Sequence, residues 1–172
     1  MKIKFYLILI MFLTTFTNLH AGETYFIDLS KVLNQSKAGA EFQNNLKKNI
    51  QNNSDNFKKI EDQIRKEEAD LISQKKLISN DDYEQKVKLL REKVAKLQDD
   101  KNKFFSDTAK SRDDAKKILI ETLNPILKKY MEDNNIRVVL DKQSIILADA
   151  KLELTNIIID LLNKNLSSIK LN

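Results

Sequence analysis

The stretch Leu71-Ile72-Ser73-Gln74-Lys75-Lys76-Leu77-Ile78-Ser79-Asn80-Asp81-Asp82-Tyr83-Glu84-Gln85-Lys86-Val87-Lys88-Leu89-Leu90 joins two apolar repeats and decides the fold. Working backward, Ile78, Leu71, Ile64, Phe57 and Ile50 recur every seven residues, and Ile60 and Leu46 take the intervening d positions of the same heptads. Working forward, Tyr83, Val87, Leu90, Val94, Leu97, Phe104, Ala115 and Ile118 keep the same three-and-four spacing, interrupted by Lys101, Thr108 and Ser111. At the join, Ser79 can cap a helix starting at Asn80, with Asp81 and Asp82 at the positive helix end. The chain is therefore expected to reverse near 79–82.

A reversal there pairs each a position with a d position, and facing residue numbers sum to 161. Leu71 then meets Leu90, Ile64 meets Leu97 and Phe57 meets Phe104, while Glu67 with Val94, Ile60 with Lys101 and Asn53 with Thr108 form polar or mixed layers. The pattern predicts an antiparallel coiled-coil hairpin over 38–124, with arms of about 40 residues and about 60 Å. A dimer of two parallel helices is the competing reading, because heptads alone do not set orientation.

The flanking segments read as a second unit, 22–37 together with 125–172. Thr24 to Leu29, Ile136 to Leu140 and Ser144 to Ala148 have strand character. Phe26, Val139 and Ile146 are expected on one face, and Ile27, Val138 and Ile145 on the other. Thr155 can cap a closing helix striped with Ile157, Ile158, Leu161 and Leu162. Asn124-Pro125 looks like an N-cap followed by Pro, so the second arm should kink or restart there and run on to Met131. Strands apolar on both faces must be covered on both, and one terminal helix covers only one. A closed symmetric oligomer is the economical solution, its order unspecified by these residues.

Composition narrows the chemistry. The chain has 172 residues, 32% charged, with two Gly, one Pro, no Cys, no Trp and one His. So few turn residues argue against a β-sandwich or doubly wound fold. Lys2 and Lys4, the uncharged run Phe5 to Leu13, and Ala21-Gly22 describe a signal peptide over 1–21. A retained anchor is the alternative, although the run is about half the length of a spanning helix. Cleavage lowers the formal charge from +5 to +3 and removes His20, the sole imidazole. Nothing then remains for a Ser-His-Asp triad, a Cys-His pair or an imidazole metal site. Carboxylate catalysis needs a concave, aromatic-lined cleft, which these charged helices do not build. No enzyme activity, cofactor or metal is expected.

Phe26-Ile27-Asp28, Val32-Leu33, Ser36 and Ala38-Gly39 near the start, with Val138-Val139-Leu140-Asp141, Ile146-Leu147-Ala148, Glu153-Leu154-Thr155, Ile158 and Leu162 near the end, resemble the Skp (OmpH-like) periplasmic chaperone family. Two stretches depart from the family pattern: Glu153-Leu154-Thr155 stands where Asp-Ile-Thr is usual, and Ala40 follows Gly39 where Lys is common. The resemblance implies a mainly α protein with a small β body. Specifically, it implies a jellyfish-like homotrimer with a β-barrel body and three hairpin tentacles around a cavity. It also implies an ATP-independent holdase that keeps unfolded outer-membrane proteins soluble before membrane insertion.

An unfolded barrel protein offers dispersed apolar residues, so its holder needs weak, distributed contacts. The apolar residues off the seam, Ile72, Leu77, Leu89 and Phe105, are the client-binding candidates; the alternative is scattered surface apolars. Tentacle tips of the family are usually basic, which suits acidic clients and anionic lipid. Here Lys75, Lys76, Lys86, Lys88, Arg91 and Lys93 face Asp81, Asp82, Glu84 and Glu92, a net of +2 that salt largely screens. Such interleaving argues against nucleic-acid binding. The functional alternative is a structural coiled-coil spacer or tether of the periplasm.

Overall fold

The structure, a computed structural model, describes residues 23–171; the expected signal peptide lies outside them. The element order is β1 (Thr24–Ile27), α1 (Leu29–Gln35), α2 (Lys37–Gln74), α3 (Asn80–Asp133), β2 (Val138–Asp141) and α4 (Thr155–Asn165). Short 3₁₀ turns at Lys142–Ser144 and Ala150–Leu152 link β2 to α4. Long helices dominate, as the scarcity of Gly and Pro dictates. Among the described residues, no helix is long and apolar enough to cross a membrane.

Local chemistry sets the helix boundaries. Asp28 caps α1 by accepting from the Lys31 amide at 2.8 Å. Ser36 ends α1 and starts α2, accepting from the Gly39 amide at 3.3 Å. Gly39 is required by the close approach of the two helices, since a Cβ there would sit 1.8 Å from the Leu33 carbonyl oxygen. The amide of Lys37 donates to Asn163 Oδ1 at 2.6 Å, tying the root of α2 to α4. At the far end of α3, Asn135 takes φ 56, a left-handed conformation that Asn tolerates, and the Ile136 amide closes onto the Met131 carbonyl at 2.9 Å.

Strands from the two ends of the chain meet, with α2 and α3 between them in sequence. β1 pairs with β2 in parallel, Thr24 opposite Val138 and Phe26 opposite Leu140. This register corrects the expected faces: Phe26 shares its side of the sheet with Val138 and Leu140, and Ile27 shares its own with Val139. Val139 packs on a core built from Ile27, Val32, Ala38, Leu119, Leu123, Ile136, Leu154, Ile158 and Leu162. Val138 and Leu140 remain exposed.

Three further expectations differ from the structure. Ser144 to Ala148 forms no strand: β1 is bridged on its second side by Glu153, whose neighbour Leu154 donates its amide to the Phe26 carbonyl at 2.9 Å. The turn at Lys142–Ser144 leads the chain off β2, and without a ladder partner Ile146 and Leu147 are 105% and 92% exposed. α3 does not restart at Pro125 but runs through it to Asp133. Glu121, whose carbonyl loses its helical donor there, lies on the exposed side, so the lost hydrogen bond leaves no buried acceptor. Finally, Thr155 does not cap α4. Leu154 occupies that position without a side-chain bond, while Thr155 Oγ1 accepts from the Asp28 amide at 2.9 Å and donates to Glu153 at 2.8 Å.

Candidate functional site

The candidate surface is the exterior of the α2–α3 pair. The two helices run antiparallel, because partners descend along α3 as they rise along α2. Phe57 meets Phe104 edge to face with centroids 5.7 Å apart, Lys101 pairs with Glu61, Lys93 reaches Glu67 at 2.5 Å, and Lys86 donates to Gln74 at 2.9 Å. At the reversal, Ser79 accepts from the Asp82 amide at 3.1 Å and donates to its carboxylate at 2.6 Å.

Burial along both helices follows the heptad spacing. Leu71, Leu97, Thr108 and Ala115 are buried, and Ile50, Phe57, Ile60, Ile64, Ile78, Tyr83, Val87, Leu90 and Phe104 are half-buried. Val94 is the exception at 50% exposed. Its layer partner Glu67 turns to Lys93 instead, since a carboxylate facing an apolar side chain would be left without compensation. The ionic contacts hold both acids below the usual carboxylate range, Glu61 chiefly through the hydrogen bond from Lys101 and Glu67 chiefly through that from Lys93.

All four apolar candidates are exposed, but they do not share one face. Leu71 and Leu90 separate two grooves. One groove holds Leu89 with Asp70, Lys86 and Lys93, while Leu77 lies in the turn beyond the end of α2, outside both grooves. The other holds Ile72 with Glu68, Arg91, Val94 and Ala95. Phe105 follows Arg91 and Ala95 along the same stripe of α3 at three- and four-residue steps, beside a groove shared with Phe57, Glu61 and Lys101. Thus Ile72 and Phe105 belong together, and Val94 joins them. Heptad reasoning missed Val94 because it occupies a seam position and no local signal marks it as displaced.

The basic candidates also divide. Lys93 and Lys86 bind across the pair, and Lys75 lies 5.6 Å from the centroid of the Tyr83 ring. Among the described residues, Lys76, Lys88 and Arg91 make no ion pair. Half of the basic set therefore serves the hairpin itself. No cluster of His, Cys, Asp or Glu able to hold a metal occurs among the described residues.

Comparisons with known proteins bear on this architecture. No curated protein matches the chain significantly. A crystal structure from Caulobacter crescentus CB15, described as an OmpH-like outer membrane chaperone, superposes with a TM-score of 0.79 at 17% identity, covering 92% of this chain and 95% of the other. At that identity the likeness concerns the fold. The family described as "Outer membrane protein (OmpH-like)" matches residues 23–162, from the residue before β1 into α4. Spanning both strands and the entire helical pair, that match makes this chain a member of the OmpH-like family.

Proposed function

We propose that the protein is an ATP-independent periplasmic holdase chaperone. It binds unfolded outer-membrane proteins in a cavity framed by the arms of a homotrimer and prevents their aggregation before membrane insertion. The observation that carries this reading is the set of exposed apolar side chains, Ile72, Leu77, Leu89, Val94 and Phe105, spread along an otherwise charged helical pair. All but Leu77 line open grooves, which suit a mobile client better than a single small ligand. Family membership and the fold shared with an OmpH-like chaperone support the same role.

In this reading the arm is 38–124, with its tip at 79–82, and the body is 22–37 with 125–172. Ala38, Leu119 and Leu123 root the arm in the body's core. The unpaired basic side chains at the tip are available to acidic clients or anionic lipid. The test dilutes a urea-unfolded outer-membrane β-barrel protein into buffer and follows light scattering at low and moderate salt. Near one oligomer per client, the mature protein should suppress the rise in scattering. Undiminished scattering at both salt levels would instead favour a structural spacer or tether.

A further inference from the structure

Three phenylalanines gather at one level of the arm. The chain has eight; Phe5, Phe12 and Phe16 precede residue 22, and of the five that follow, Phe57, Phe104 and Phe105 are neighbours. Phe57 and Phe104 form a seam layer, and Phe104 meets Phe105 edge to face at 5.6 Å between centroids. Phe105 itself is 61% exposed. Its ring borders a groove of about 480 Å³ between the helices. A large aromatic left in water has no part in closing the seam, which Phe57 and Phe104 already do.

The charges around the groove define what fits it. Lys58, Arg65 and Lys101 line it together with Glu61 and Asp62, an excess of one positive charge. Lys101 is committed to Glu61 and lies 5.9 Å from the centroid of the Phe57 ring. Lys58 and Arg65 form no ion pair among the described residues. The groove thus offers a ring edge and face to another aromatic, and two cations outside any ion pair to a carboxylate.

We propose that the groove beside Phe105 is an aromatic-recognition subsite that takes an extended stretch of unfolded chain carrying an aromatic side chain next to a carboxylate. The assignment rests on the holdase reading and names the side chains that the arm selects. Membrane β-barrels supply aromatics in the girdles at both membrane interfaces. In the unfolded client those rings are solvated and free to dock.

Because the chain contains no Trp, fluorescence of a Trp-bearing peptide reports on the peptide alone. The probe is a short Ser/Gly peptide with one Trp flanked by Asp, titrated with the mature full-length oligomer and read by anisotropy. Phe105→Leu keeps the apolar bulk and removes the ring; it should weaken binding by about 2- to 12-fold, the range of an aromatic pair. Lys58→Glu with Arg65→Glu should abolish the preference for that peptide over one with Lys in place of Asp. Circular dichroism on each variant checks that the arm is intact. An unchanged Kd for Phe105→Leu, or an equal loss from Ile72→Ala further along the same face, would overturn the subsite. A wild-type protein that keeps barrel protein soluble yet ignores the peptide also overturns the subsite and leaves the holdase standing. Peptide binding through Phe105 without suppression of scattering does the reverse.

Discussion

Single side chains show how the two ends of this chain are stitched together. Thr155 sits before an apolar stripe, where a hydroxyl ordinarily caps its own helix. In the folded chain it accepts from the Asp28 amide instead, 127 residues away, and donates its own hydrogen bond to Glu153. That donation, with a second from Lys142, keeps the Glu153 carboxyl below its usual range. Thr155→Val preserves the shape but leaves the Asp28 amide without an acceptor, and should lower stability by about 1–3 kcal/mol in urea unfolding. Thr155→Ser, which retains the hydroxyl, should recover most of the loss. Pattern alone identified the residue as a hydrogen-bonding position. Its partner was invisible because no local spacing encodes a contact between opposite ends of the chain.

The helical pair mixes apolar layers with ionic ones, and the ionic layers make its stability depend on pH. Glu61 and Glu67 titrate below the ordinary value of 4.5 in the folded arm, held there by Lys101 and Lys93. A lowered folded pKa means the contribution is complete above the unfolded value and disappears as pH falls through the folded one. Helicity at 222 nm should therefore hold from neutral pH to just above 4.5 and become easier to melt below it. The double variant Glu61→Gln/Glu67→Gln should start less stable at neutral pH and show a smaller change across the acid window. Both ion pairs are partly solvated, so raised salt should narrow the difference between the two proteins. The heptads predicted the layers. The pairing of the off-seam Lys93 with Glu67, and of Lys101 with the off-seam Glu61, depended on how far each side chain reaches across the seam.

At the scale of the whole molecule, part of the apolar surface around the two strands is left uncovered. Val138 and Leu140 face outward from β2, and Ile146 and Leu147 project from a segment with no ladder partner. Exposed strand-forming sequence of this kind is what the proposed homotrimer would bury. Light scattering on the mature protein should give three times the single-chain mass. Ile146→Asp with Leu147→Asp should reduce that mass, because an apolar contact between copies cannot bury two carboxylates without a large desolvation cost. An unaltered mass in the double variant would place the interface elsewhere. Whether Ser144 to Ala148 pairs in the oligomer is then accessible to hydrogen exchange on the same two proteins.

The sequence by itself determined the two long helices, the capped reversal at Ser79 and the heptad seam, because each depends on residues within a few turns of one another. It also determined that the chain has no Cys and that His20 is its single His. Only the tertiary structure decided that β1 and β2 pair in parallel with Phe26 opposite Leu140, that Thr155 serves Asp28, and that Glu67 abandons Val94 for Lys93. It alone separated Ile72 and Phe105 from Leu89, by placing a groove on each side of the seam. The reason is physical. Periodicity records how often a side chain returns to one face, whereas register and reach depend on how separately folded elements are set against each other.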